Sequence, residues 1–279
     1  MRAFRIAYDG TDYYGFQRQP DVPTVEDAIF DALRALSVLE PSSRKPEGYA
    51  AAGRTDAGVS ALAQTIALET PDWLTPRALN GELPADVRAW AAAEAPDGFH
   101  ATHEATRREY VYHLYAPPAS GAASDWPSTP VDDDRFADAC AALSGTHDFH
   151  NLTPDDRNTE RSPTLESTRD GEFLVVTVVA DGFARELVRR LVSLARLVGA
   201  DEASFEAIDR ALASDPLPGH EGIPPAPPEP LVLTAVDYPN LEFETDPQAA
   251  ESARAIFRQR ALERRSGARV AGQIADGVR

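Results

Sequence analysis

Residues 51 to 61 read Ala-Ala-Gly-Arg-Thr-Asp-Ala-Gly-Val-Ser-Ala, so that Gly53 and Gly58 stand on either side of Arg54, Thr55 and Asp56. Two glycines with no bulky side chain between them let the backbone turn tightly and hold a carboxylate beside a guanidinium. A carboxylate in such a loop can attack an electrophilic carbon or take up a proton. A planar guanidinium can stack in a vacated gap or bond a phosphate. The same residues also describe a plain glycine-rich turn with a surface ion pair, so the loop takes its meaning from what accompanies it.

Upstream lies Tyr8-Asp9-Gly10-Thr11-Asp12-Tyr13-Tyr14-Gly15-Phe16-Gln17-Arg18-Gln19. Downstream come Asn80-Gly81-Glu82-Leu83-Pro84-Ala85-Asp86-Val87, then Phe99-His100-Ala101, then Ala105-Thr106-Arg107-Arg108-Glu109-Tyr110-Val111-Tyr112. In this order and spacing the segments closely resemble the TruA-type tRNA pseudouridine synthases, from about Arg2 to Pro239. A weaker stretch, Phe183-Ala184-Arg185-Glu186-Leu187-Val188-Arg189-Arg190, looks like the helix that carries a basic residue into the site of that family.

The resemblance implies a tRNA-uridine isomerase of the anticodon arm, acting at tRNA positions 38 to 40, and a homodimer with one tRNA across both subunits. It gives Asp56 the essential catalytic role. Tyr110 takes the position of the tyrosine that packs against the target base, although the residue also suits a core strand with its hydroxyl bonded. Arg189 stands where the family carries its basic residue, with Arg185 and Arg190 within a turn of it. A cation there is expected to lower the carboxylate's pKa and keep it ionised. The target base must leave the RNA stack, and Arg54 is the side chain to fill the gap or bond phosphate. Gly10, Tyr14, Gln17, Arg18, Gln19 and Thr55 are the expected substrate-binding residues, with Arg107 and Arg108 on the RNA backbone.

Isomerisation changes no oxidation state, so neither a metal nor a nucleotide or other cofactor is expected. His100 with His103, and His147 with His150, have a suggestive spacing but lack the acid or cysteine of a zinc pattern. Two residues depart from the family: Ser60 stands where many relatives have histidine, and Pro230 replaces a glycine. The rival readings are an RNA-binding protein or chaperone without catalysis, and a carboxylate-dependent RNA N-glycosidase that frees the base.

Elements able to position these residues can be read from periodicity. Strands are expected over 4–8, 49–52, 62–68, 87–93, 109–115, 173–179 and 231–236. Helices are expected from the Thr24 N-cap through Val25, Ile29, Leu33 and Leu36, and over 75–79, 132–143, 183–198, 204–213 and 247–265. The pattern predicts an α+β fold, two pseudo-related lobes around a mostly antiparallel sheet. A first lobe over 1–116, a second over 117–239 and an Arg-rich extension over 240–279 divide at the Pro-, Ala- and Ser-rich segment 117–130. The extension reads equally as an RNA-contacting arm or as a solvated or disordered tail with acidic partners elsewhere on the protein.

A net charge of -18 and a pI near 4.7 conflict with a polyanionic substrate. Lys45 is the only lysine, against 45 Asp and Glu, which resembles proteins adapted to multimolar salt. At roughly 1 M salt the Debye length is only about 3 Å, so net charge hardly repels RNA. The single cysteine, Cys140, excludes an internal disulfide. No apolar run approaches the roughly 18 residues that span a bilayer, and Met1-Arg2-Ala3-Phe4-Arg5 opens no signal peptide. A soluble, cytoplasmic chain is expected.

Overall fold

The computed structural model describes residues 1–118 and 129–278. The chain runs β1 (Arg2–Tyr8), α1 (Val25–Ala35), β2 (Ala50–Ala51), β3 (Ser60–Leu68), α2 (Pro76–Asn80), β4 (Val87–Glu94) and β5 (Arg107–Tyr115). Then follow α3 (Asp133–Leu143), a small hairpin of β6 (His147–Asp148) and β7 (Glu160–Arg161), β8 (Thr164–Asp170) and β9 (Phe173–Ala180). The rest is α4 (Leu187–Gly199), α5 (Glu206–Ala211), β10 (Leu231–Asp237), β11 (Glu244–Thr245) and α6 (Pro247–Gly277).

One nine-stranded sheet carries both lobes, in the order β11-β4-β1-β3-β10-β5-β9-β8 with β2 paired to β3. Each half repeats a single plan. In the first, β4-β1-β3-β2 lie side by side; in the second, β10-β5-β9-β8 do, with a helix after the first and third strand of each. The expected α+β architecture with two related lobes is therefore present, and its pairings are antiparallel except at the seam. That seam is the short parallel pairing of β10 with β3, Val232 opposite Ser60 and Leu233 opposite Ala61.

The expected division at 117–130 falls on a segment that lies mostly outside the described residues. β5 bonds along its length to β9 and β10, so it belongs to the second half-sheet. Strand pairing is a long-range choice that no local composition reports. β8 was also missed, because TLESTRD is a polar edge strand with mostly exposed side chains.

Helix α1 starts where the sequence predicts. Thr24 accepts a bond from the Asp27 amide at 3.2 Å and its hydroxyl donates to the Asp27 carboxylate at 2.6 Å, while Val25, Ile29, Phe30 and Leu33 face the core. Helix α4 begins four residues later than expected, because Glu186 adopts a left-handed φ of 60° and breaks the helical path. Its apolar face, Leu187, Leu191, Leu194 and Val198, is buried. Helix α6 is longer than expected and is anchored at its start by Ala249, Ala250 and Ala253. Among the described residues no helix is long and apolar enough to cross a membrane.

Candidate active site

The Gly-Arg-Thr-Asp loop leaves the sheet at the seam. β2 and β10 lie along the same edge of β3, β2 against Ile66 and Ala67 and β10 against Ser60 and Ala61. The loop between β2 and β3 thus emerges where the short β2 ends and the second lobe takes over. Its tip is a turn closed by the Val59 amide on the Asp56 carbonyl at 3.1 Å, with Gly58 at φ 82°. That φ at the third position of a turn is glycine's, which accounts for the second glycine of the motif.

A second loop braces the first. The Phe16 amide donates to the Thr55 carbonyl at 3.1 Å and the Gly58 amide to the Tyr13 carbonyl at 3.1 Å. The free N–H groups at the start of α1 complete the brace: Val25 donates to the Gly15 carbonyl and Glu26 to the Phe16 carbonyl. The Gly10 amide donates to the Ser60 hydroxyl oxygen at 3.1 Å, so Ser60 fixes the brace. A Cβ on Gly10 would lie 2.0 Å from the Val59 carbonyl oxygen. Gly10→Ala is accordingly expected to cost about 1–3 kcal/mol or more through overpacking, and to lower kcat as well, read by thermal unfolding alongside turnover.

The cation that meets Asp56 comes from α4 and not from the loop. Arg189 Nη1 lies 3.2 Å from Asp56 Oδ2, and its Nε donates to the Ala226 carbonyl at 2.6 Å. The neighbours are committed elsewhere: Arg185 to Asp155, Arg190 to Glu186 and the Ile223 carbonyl. Arg54 is exposed and makes no hydrogen bond or ion pair among the described residues, so loop carboxylate and loop guanidinium do not sit paired.

Burial pushes the Asp56 carboxyl above its ordinary pKa, and Arg189 only partly opposes this. The expectation of a lowered pKa is corrected here: removal from water outweighs the nearby cation. Tyr110 is buried beside the carboxylate, whose charge adds to the burial that raises the phenol's pKa. Its ring meets the edge of Phe183 at 5.3 Å and 84°. The Tyr110 hydroxyl has no hydrogen-bond partner among the described residues, unlike a core tyrosine with its tip satisfied.

The other expected contacts divide into outward and inward groups. Tyr14 and Gln17 are exposed, as are Arg18 and Gln19. Arg18 is nevertheless tied to Asp27 at 2.6 Å and packs over Phe30, and Gln19 donates to the Tyr14 carbonyl. Gly10 and Thr55 are buried and cannot touch a substrate with side-chain atoms; the Thr55 hydroxyl pairs with Tyr8 at 2.8 Å. Arg107 pairs with Glu109 and Asp237. Arg108 is spent on three carbonyls, those of Ala52, Thr102 and Asp181, which clips the start of the Gly-Arg-Thr-Asp loop to the end of β9.

Sequence reasoning sees the proline-rich segment before β10 as a loop but gives it no role at the site. The Ala226 amide and carbonyl both bond Arg189, the Pro227 carbonyl accepts from Tyr112 at 3.0 Å, and Pro228 packs on Gly58. The segment is a stiff back wall that holds the cation toward the carboxylate, and its density of prolines was the available signal. Pro230 sits in the turn that feeds β10, its carbonyl accepting from the His113 amide at 3.1 Å. The paired histidines are apart from this site: His100 stacks on His103 at 4.1 Å and His147 bonds the Ser144 carbonyl.

The chain is similar to known proteins. A family model described as tRNA pseudouridine synthase matches residues 139–239. The tRNA pseudouridine synthase A of Haloarcula marismortui is 57% identical over 279 residues, covering 100% of both chains. That of Natronomonas pharaonis is 58% identical over 274 residues, 98% of each. That of Methanosarcina acetivorans is 36% identical over 278 residues, 98% of this chain and 97% of its own.

Proposed function

The chain belongs to the tRNA pseudouridine synthase A family of isomerases, and from that premise we propose that it converts uridines of the anticodon arm, at tRNA positions 38 to 40, with Asp56 as the catalytic carboxylate. The reaction breaks the N1–C1′ bond of a uridine, turns the base, joins C5 to C1′ and releases the C5 proton. One observation carries the assignment: a half-buried carboxylate at the junction of two lobes, with Arg189 on Oδ2 and no bond to Oδ1 among the described residues. Burial makes that free oxygen more basic than an ordinary carboxylate, which suits attack on carbon as well as proton abstraction from C2′.

The base must be everted to reach it, at a cost of a few kcal/mol that binding of the flipped nucleotide offsets. The unpartnered Arg54 guanidinium at the loop surface fits the vacated stack, and Tyr110 with Phe183 supplies an aromatic wall for the base. A homodimer spreading RNA contacts over two subunits fits an acidic chain. The halophilic relatives fit the near absence of lysine.

Incubation with tRNA tritiated at uridine C5 tests the reading. Tritium passing to water with the base retained is the expected result; free uracil marks a glycosidase, and neither product marks a pure binder. Arg54→Lys is expected to lower kcat by roughly 10-fold, about 1.4 kcal/mol, with a smaller change in affinity, because a compact ammonium cannot stack. Equal losses in both assign Arg54 to phosphate binding instead.

A further inference from the structure

The extension contributes to the site from a distance. Asp9 is buried, with 5% of its side chain exposed, and two guanidiniums of α6 converge on its Oδ2: Arg260 at 3.2 Å and Arg264 at 2.7 Å. Its Oδ1 accepts from the Thr11 amide at 3.2 Å and the Thr11 hydroxyl at 2.7 Å. Arg260 also reaches Asp86 at 3.4 Å, whose other oxygen accepts from the Tyr13 hydroxyl at 2.9 Å. One face of α6 therefore holds the start of the bracing loop at Asp9 and, through Asp86, its Tyr13.

That loop is the one holding the catalytic turn. Gly10 follows Asp9 directly, donates to Ser60 and packs without clearance on the Val59 carbonyl; Tyr13 accepts from Gly58. A chain of direct contacts runs from the α6 arginines through Asp9, Gly10 and Val59 to the backbone of Asp56. Asp9 is buried while Arg264 is largely exposed, so of the two pairs at the outer end of these contacts the one with Arg260 is the better shielded from salt.

We propose that Arg260 and Arg264 are positioning residues for Asp56, so that the C-terminal helix is part of the catalytic scaffold rather than a solvated tail. The inference rests on the catalytic reading of Asp56. Without the two guanidiniums Asp9 would be left as a buried, uncompensated charge. The loop would shift to hydrate it, and the turn at Asp56 would move with it.

The test compares the full-length chain with R260M/R264M, measuring kcat and KM for tRNA and the thermal midpoint. A displacement near 1 Å costs on the order of 10–100-fold in rate, and that loss is expected in kcat while KM stays within about twofold. Adding Asp9→Asn to the pair should recover part of kcat, since the stranded charge is gone. Arg264→Lys should stay near the parent. Unchanged kcat in R260M/R264M overturns the proposal, as does an equal rise in KM with no recovery from Asp9→Asn. If the double variant does not fold, Arg264→Gln carries the same test, and unchanged kcat there is equally fatal. Asp56→Asn run in parallel keeps the two claims apart, since turnover in that variant defeats the catalytic reading whatever the arginine variants do.

Discussion

Asp56→Asn is expected to bring isomerisation to background while tRNA affinity stays within about tenfold, roughly 1.4 kcal/mol. The amide is nearly isosteric and keeps an oxygen for Arg189, so the loop and its braces should survive. What it loses is the ability to attack carbon or hold a proton, and both roles open to the residue need that. Tritium release under single turnover, with tRNA binding measured on the same preparation, checks both halves. Substantial turnover removes Asp56 from its role. A collapse of affinity as well would make the residue a structural member of the loop.

Arg189→Met should give the second largest effect, a fall in kcat of roughly 10²–10³ by analogy with loss of one preorganised polar contact, and a displaced pH profile. Burial already raises the Asp56 pKa, and Arg189 is the largest influence opposing it. Without the guanidinium the carboxyl titrates higher still. Activity that needs the ionised form is lost as pH falls through that value, so the acid limb of the single-turnover rate must move to higher pH. Arg189→Lys, retaining charge but losing the fork that also holds the Ala226 carbonyl, should lie between. An acid limb that stays in place in the Met variant would sever Arg189 from the ionisation of Asp56.

The Gly-Arg-Thr-Asp loop was legible in the sequence because its logic is local: glycines at 53 and 58 permit a turn, and Gly58 needs its positive φ. The strands and most helices were legible for the same reason, through periodicity and the Thr24 cap. Contacts between distant segments were not legible in the residues themselves, and Arg189 was expected near Asp56 only through the family resemblance. Nothing in the residues of α4 says that a left-handed Glu186 sets the phase bringing Arg189, rather than Arg185 or Arg190, to the carboxylate. Thr55 and Gly10 carry motif signals equal to those of Tyr14, yet they turn inward to hold the loop. The direction of the Asp56 pKa was misread because burial is a tertiary property, whereas a nearby arginine can be guessed from spacing. The arginines of α6 were countable, but Asp9 as the partner of two of them was not.

The parallel seam between β3 and β10 ties the order of synthesis to the onset of activity. Ser60 finds its partner only when Val232 has been made, and the wall that orients Arg189 arrives just before it. Such late, long-range closure is slow relative to hairpin formation. A nascent chain still on the ribosome carries the entire first half-sheet and every residue of the motif, yet it lacks the edge against which the loop is set. Ribosome-bound intermediates should therefore leave passing tRNA unmodified, and competence should arrive in one step near the end of translation.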